Sequence, residues 1–325
     1  MKRRSLFSLA MASVAMSLAI SVPAALAQTK EIVYITPGLD LAFWRYVSEG
    51  VKSVATEGGY TFSALDSAND PQTQLQNAQD SIARGVAGIV MSPTDSSTAP
   101  AILALAKDAG IPVVIADIGT DSGDYVSLIG SNNYEGANGV GKALAEAMTA
   151  AGKTDGSVGI VGISQARLNG QARTKGFKDA LAEAGITKDA GLQQMQAYTA
   201  DETFKFTQDM LTANPDMKAM FIQTDGPTLG AVQAIKAARM TEDVLVAAFD
   251  GIPEFVPLLQ SGELVVSGMQ QPYLMGQKSA EAMLAHLSGQ TPEKEIIVPI
   301  LIVTSTNIEE MLPTIKETVF ANELP

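Results

Sequence analysis

The chain of 325 residues has no cysteine and one histidine. The first absence excludes a disulfide framework and thiolate metal sites. The second leaves no Ser-His-Asp or Cys-His arrangement and no His-rich metal site, because His286 stands alone in Ala282-Met283-Leu284-Ala285-His286-Leu287 and reads as a surface residue of a late helix. No glycine-rich phosphate loop is present either, since Gly156 and Gly159-Ile160-Val161-Gly162 are too sparse to form one. Positive charge is also scarce: 22 Lys and Arg face 35 Asp and Glu, for a net charge of −13. With no local basic patch to override that field, nucleic acid and polyphosphates are excluded as partners. Together these absences predict a protein without metal or cofactor, and one that is not an enzyme. Paired carboxylates such as Asp117 and Asp250 are what a glycosidase employs, but a binding protein uses the same residues.

One long apolar run occurs, at the start. Lys2, Arg3 and Arg4 precede an apolar stretch from Leu6 to Val22, and Ala25-Leu26-Ala27 supplies small residues in the order of a secretory signal. Cleavage after Ala27 is expected, leaving a mature protein that begins at Gln28. The stretch is short and Ser-interrupted beside the roughly 20 apolar residues of a membrane span. Losing those three basic residues takes the charge from −13 to −16. No cysteine follows the cleavage site to carry a lipid, so a freely diffusing periplasmic protein is expected.

In the mature chain, strand-like apolar runs end repeatedly at a polar residue. Val113-Val114-Ile115-Ala116 stops at Asp117, and Leu245-Val246-Ala247-Ala248-Phe249 stops at Asp250. Met220-Phe221-Ile222 runs into Gln223-Thr224-Asp225, and Leu264 to Met269 reaches Gln270. Ligands of open parallel α/β sheets sit outside the carboxyl ends of the strands, so these residues mark a crevice for a small polar molecule.

Strand and helix patterns alternate from Glu31–Thr36 (strand) and Leu41–Gly58 (helix) to Ile111–Ala116 (strand), as βαβ units require. After Ser131 the order restarts, with strands at Val158–Val161, Gln194–Tyr198, Met220–Gln223 and Val244–Phe249 between helices over Gln171–Ala184, Glu202–Thr212 and Pro227–Ala238. A strand near Val265, a helix over Tyr273–Leu287 and a strand over Ile296–Val303 complete the chain. The simplest reading is an α/β fold of two Rossmann-like lobes, each a parallel sheet flanked by helices, joined by a multi-strand hinge. Residues 1–27 form the signal peptide, 28–131 with about 269–297 the N-terminal lobe, and 132–268 with about 298–325 the C-terminal lobe.

Several motifs in order, Phe43-Trp44 followed by Gly50, Ser92-Pro93-Thr94-Asp95, Ile111-Pro112-Val113 leading to Asp117, Ala172-Arg173 before Gly176-Phe177, Thr212 to Asp216, Thr224-Asp225 before Leu229-Gly230-Ala231, and Phe249-Asp250-Gly251, extend over nearly the whole mature chain. In order and spacing the chain resembles the periplasmic sugar-binding proteins of the ribose-binding type. That resemblance implies two lobes closing on a small carbohydrate, with Phe43 and Trp44 as first-lobe rings and Tyr198 as the second-lobe ring over apolar C–H faces. It implies Asp117, Arg173, Asp250 and Gln270 as the polar set, in which carboxylates accept hydroxyl protons and the guanidinium donates. Thr224 belongs to the site as well, and Asp225 reads as a helix cap.

Three departures stand out. Where ribose-type proteins carry Asn, this chain has Leu41; where an Arg follows the first-lobe Asp, it has Ile118; where Asn precedes Asp225, it has Thr224. With those donors lost, the expected ligand is not ribose but a deoxy sugar, a polyol in another orientation, or a larger sugar with an apolar end. The resemblance also implies delivery to an ABC transporter membrane permease by a monomeric protein. The alternative is an exported sugar-sensing subunit that signals to a membrane receptor or sensor kinase. A repressor core of similar fold is excluded by the export signal standing where a DNA-binding helix pair would be.

Overall fold

A computed structural model describes residues 30–323; the signal segment and its cleavage point lie outside the described residues. The first sheet is built from β1 (Glu31–Thr36), β2 (Thr61–Asp66), β3 (Gly88–Met91), β4 (Val113–Ala116) and β5 (Leu128–Gly130), with α1 (Ala42–Glu57), α2 (Pro71–Ala83) and α3 (Ala99–Asp108) between strands. The second follows α4 (Asn133–Ala150): β6 (Ser157–Gly162), α5 (Leu168–Glu183), β7 (Asp189–Gln194), α6 (Ala200–Ala213), β8 (Met217–Ile222), α7 (Thr228–Ala237), β9 (Leu245–Phe249), α8 (Phe255–Ser261) and β10 (Val266–Met269). Then come α9 (Pro272–Leu287), β11 (Glu295–Ile297), β12 (Leu301–Thr304) and α10 (Ile308–Thr318).

The sheet orders are β11-β5-β4-β3-β1-β2 and β12-β10-β9-β8-β6-β7. All pairings are parallel except the edge, where β12 runs antiparallel to β10. The chain therefore passes between the sheets at three places, after β5, after β10 and between β11 and β12. The stretch Ile296–Val303, expected as one strand, is two. Val298 N still donates to Gly130 O at 2.8 Å, but Pro299 has no N–H to continue a ladder. Its carbonyl is held instead by Gln271 Nε2 at 2.7 Å, which ties two of the three passages together. The strand expected at Gln194–Tyr198 lies earlier, as β7, and Tyr198 falls in the loop beyond it with φ +55°.

Both faces of each sheet are covered, which is why the central strands are apolar without alternation: β3, β4, β6 and β10 are buried at every residue. Close helix pairs in both lobes rest on glycine. A Cβ on Gly276 of α9 would stand 2.1 Å from Val47 O of α1, and one on Gly176 of α5 would stand 2.2 Å from Tyr134 O of α4. These are backbone contacts that no rotamer change can relieve. The second pair matters for the site, since it seats α5, and with it Arg173, against the first residues of α4.

Gly276→Ala is expected to lower unfolding stability by about 1–3 kcal/mol, the range of overpacking. Urea denaturation that left the midpoint unchanged would show that α1 and α9 separate freely.

Candidate functional site

The carboxyl ends of the strands in both sheets face one cleft. Asp117 follows β4 and Asp250 follows β9, and both take the left-handed conformation at φ +63°. Such a backbone costs an L-residue roughly 1–2 kcal/mol and is kept only where surroundings impose it. Asp250 N donates to Gly268 O at 2.9 Å, and Ser267 Oγ donates to Asp250 O at 2.6 Å, which fixes the turn. Asp117 N donates to Ile129 O at 2.8 Å.

All eight expected residues, Phe43, Trp44, Asp117, Arg173, Tyr198, Thr224, Asp250 and Gln270, line one narrow cavity of about 20 Å³ between the lobes. Phe43 and Trp44, at the start of α1, meet edge to face, with centroids 4.7 Å apart at 85°. Both are 5% exposed and pack on the first-lobe core, so the rings belong to the core and to the cavity wall at once. Tyr198 forms the opposite wall, and its hydroxyl accepts from Ser164 N at 3.0 Å.

The polar side is a network centred on Arg173. Nη1 donates to Asp250 Oδ2 at 3.0 Å and to Gln223 O at 2.7 Å, while Nε donates to Asn133 Oδ1 at 2.8 Å. The guanidinium lies 4.0 Å from the Phe249 ring centroid, and Phe249 is backed in turn by Phe221 and Phe177. Gln270 Nε2 donates to Asp250 Oδ1 at 2.9 Å. Asp250 is thus satisfied on both oxygens. Asp117 is not: Oδ2 accepts from Asn169 Nδ2 at 3.2 Å, whereas Oδ1 is buried without a partner. Gln270 Oε1 is likewise buried and unpartnered. On the donor side, Arg173 Nη2 has no hydrogen-bond partner among the described residues.

Four residues expected to matter differently, or not foreseen, complete the picture. Ile163, Arg167 and Asn169 also line the cavity; the last two sit at the start of α5, four and two residues before the expected helix start at Gln171. Asn169 and Arg173 are four apart and share a helix face, so extending the helical pattern back one turn would have found Asn169. Asp225, expected as a helix cap, accepts from Phe43 N at 3.3 Å in the other lobe. It caps α1, whose own N-cap position is Leu41 and supplies no side-chain acceptor. Of the three departures, Leu41 lines the cavity, Ile118 is buried in the first-lobe core, and the Thr224 hydroxyl is turned to Asp225 Oδ1 at 3.3 Å. His286, in α9, borders a concavity with Gly110 to Val113, at the amino end of β4 and away from the cleft.

Burial pushes Asp117 up to about 6, Arg173 opposing and Asp250 adding to the rise. Burial and then the Asp250 charge push Asp225 up to about 6 as well. Asp250 itself is raised by burial against the pull of Arg173. Among the described residues no His, Cys, Asp or Glu cluster of metal-binding shape occurs, and no helix is long and apolar enough to cross a membrane.

Two lobes with strand-end polar groups and facing aromatic rings define a cleft-type solute-binding protein. The model of the periplasmic binding protein domain family matches residues 32–291. The chain is 31% identical over 292 residues to the ribose import binding protein of Haemophilus influenzae, covering 90% of this chain and 97% of that one. It is 30% identical over 288 residues to the D-ribose/D-allose-binding protein of Pseudomonas aeruginosa, covering 84% and 88%. A carbohydrate transporter solute-binding protein of Agrobacterium radiobacter, solved with D-arabinose, superposes with a TM-score of 0.83 at 24% identity, covering 91% of this chain and 100% of that one. The chain belongs to the periplasmic binding protein family, in its ribose-type sugar-binding branch.

A group whose folded-state pKa is raised above its unfolded value holds a proton more tightly when folded, so an ionised Asp117 costs stability at neutral pH, and that cost fades as pH falls from about 6 toward 4. In the unliganded protein, Asp117→Asn should therefore gain on the order of 2 kcal/mol at pH 7.5, with the gain shrinking at pH 5. Urea titrations at the two pH values check this; an equal gain at both would remove the carboxylate's charge as the cause.

Proposed function

We propose that this protein captures a small carbohydrate in the periplasm by hinge closure and, as a monomer, hands it to an ABC-type membrane permease. The observation that carries the reading is the pattern of unmet hydrogen bonds. Asp117 Oδ1 and Gln270 Oε1 are buried acceptors without donors, and they stand with the spare donors of Arg173 between rings contributed by both lobes. Sugar hydroxyls supply donors and acceptors together, and the C–H faces of a sugar ring suit Phe43, Trp44 and Tyr198. The ligand bridges Phe43, Trp44 and Asp117 of the first lobe to Arg173, Tyr198, Thr224 and Asp250 of the second, with Gln270 at a hinge passage. Closure is favoured by the difference in ligand affinity between the two states.

Binding without turnover fits the same geometry. Asp250 serves Arg173 and Gln270 with its two oxygens and so acts as their counter-ion, not as a free nucleophile. The named relatives support sugar import, binding ribose or allose by their descriptions. A ligand other than ribose is favoured here because Leu41 offers the cavity no polar atom and Thr224 has turned its hydroxyl to Asp225.

In a thermal-shift screen of pentoses, hexoses, deoxy sugars and polyols, a ligand at 1,000 times its Kd should add about 4 kcal/mol to stability, a rise of roughly 10 °C for lobes of this size. Trp44, the only tryptophan, should change its fluorescence with the same ligand. Arg173→Ala should abolish binding and also cost about 3–5 kcal/mol, because Asp250 would be left buried without its counter-charge. A screen in which no carbohydrate moves the melting temperature would sink the proposal.

A further inference from the structure

Asn69 is exposed, lies outside the sugar cavity and belongs to the first lobe, yet it holds a residue of the second. That residue is Arg167, which lines the sugar cavity and is 5% exposed. Its Nε donates to Thr94 O and its Nη2 to Asn69 Oδ1, each at 2.8 Å. Both acceptors are first-lobe atoms. Among the described residues, its own lobe gives the guanidinium the face of Tyr198, 5.2 Å from the ring centroid, and no hydrogen bond. A buried cation is costly unless polar partners replace its water. For Arg167 those partners arrive from across the cleft.

The first lobe is built to present them. Thr94 N donates to Gln74 Oε1 and Gln74 Nε2 to Ser92 O, each at 2.9 Å, with Gln74 fully buried. These bonds fix the loop after β3. In the loop after β2, Ala68 and Asn69 hold consecutive left-handed backbones, at φ +48° and +54°. Asn visits that region readily, whereas Ala does so only where its surroundings impose it. They do: Ala68 N donates to Asp66 Oδ1 at 2.7 Å, Asn69 N to Pro37 O at 2.6 Å, and Asp70 Oδ1 accepts from Thr73 N at 2.6 Å as the cap of α2. The turn is thus held on both sides of Asn69, and the Asn69 side-chain oxygen takes no part in holding it. Thr94 contributes a backbone carbonyl, which any residue at that place would supply. Asn69 is therefore the side chain on which the grip on Arg167 depends.

We propose that Asn69 is a positioning residue for ligand retention: from across the cleft it fixes Arg167 in the wall around the bound sugar, and so slows release without touching the ligand. This rests on the carbohydrate reading above and adds to it a determinant of affinity outside the cavity. The bond between Asn69 and Arg167 forms as the two lobes meet, after the ligand has entered. Its loss therefore speeds dissociation and leaves association unchanged, the pattern of most affinity differences between related complexes.

The test is stopped-flow fluorescence of Trp44, the only tryptophan and a cavity residue, on the full mature chain. The probes are D-ribose, D-arabinose, D-allose, D-galactose, L-fucose and myo-inositol. Asn69→Gly keeps the left-handed backbone and removes the side chain. For each probe that the parent binds, its dissociation rate should rise about tenfold, the equivalent of about 1.4 kcal/mol, with association within about twofold of the parent. Its urea midpoint should stay close to the parent's, because glycine relieves the turn while adding chain entropy; a residue that served folding alone would move the midpoint and not the release rate. Asn69→Asp keeps an acceptor oxygen and suits the same backbone, so it should restore slow release. Gln196→Ala, in the second-lobe side of the cleft mouth, should release each probe as the parent does. Release from Asn69→Gly at the parent's rate would overturn the proposal and leave the carbohydrate reading standing. So would slower association in place of faster release, failure of Asn69→Asp to restore retention, or equally fast release from Gln196→Ala. If the parent binds none of the probes, both readings fall.

Discussion

The Arg173–Asp250 pair is the interaction on which the rest of the molecule's arrangement depends. At 3.0 Å, and with side chains 2% and 6% exposed, it joins α5 to the end of β9 where neither charge has water to fall back on. A buried pair is poor evidence of stability, because desolvation of the two ions offsets most of their attraction. Its value lies in what it orients. Arg173 also binds Asn133, the first helical residue after one passage between the sheets, and Asp250 also binds Gln270, which lies at another. Any rotation about those passages moves groups that touch the charge pair, so the pair couples the floor of the cleft to the hinge.

Packing supports this at a distance. Gly176 lets α4 and α5 approach backbone to backbone, and Asn138 Nδ2 donates to Gly176 O at 3.2 Å across the same crossing. Arg173, one turn before Gly176, is carried to Asn133 by that approach, and its guanidinium lies against the Phe249 ring. The guanidinium has little freedom left to lose when a ligand arrives, and rigid placement is what makes a hydrogen bond to a ligand count.

Much of this was legible in the sequence, because apolar strands that stop at a polar residue are a direct consequence of parallel sheets open at their carboxyl ends. Asp117, Asp250 and Gln270 could be placed by that rule alone, and Phe43, Trp44, Arg173, Tyr198 and Thr224 by family resemblance. What was not legible depended on tertiary contact. Arg167 precedes a helix whose first turn carries no capping signal, and its partners Thr94 and Asn69 are 73 and 98 residues away. Tyr198 was placed correctly in the cavity from the wrong local structure, since its segment has the apolar look of a strand while its backbone is left-handed. The break at Pro299 was visible as a proline; that the two halves would join different sheets was not, because only the partners of each half decide that.

Bonds that span the cleft join the two lobes directly. Phe43 N to Asp225, Arg167 to Thr94 and Asn69, and Asn169 to Asp117 all link one lobe to the other through protein groups alone. Each contributes on the order of 1 kcal/mol net. Asp117 Oδ1 and Gln270 Oε1 are buried acceptors that no protein group among the described residues meets, and a buried acceptor left unmet costs about 1–3 kcal/mol. A bound group that supplies donors to those two oxygens would remove that cost and leave the protein's own cross-cleft bonds intact, so these two acceptors favour a hydroxyl-bearing occupant over an apolar one.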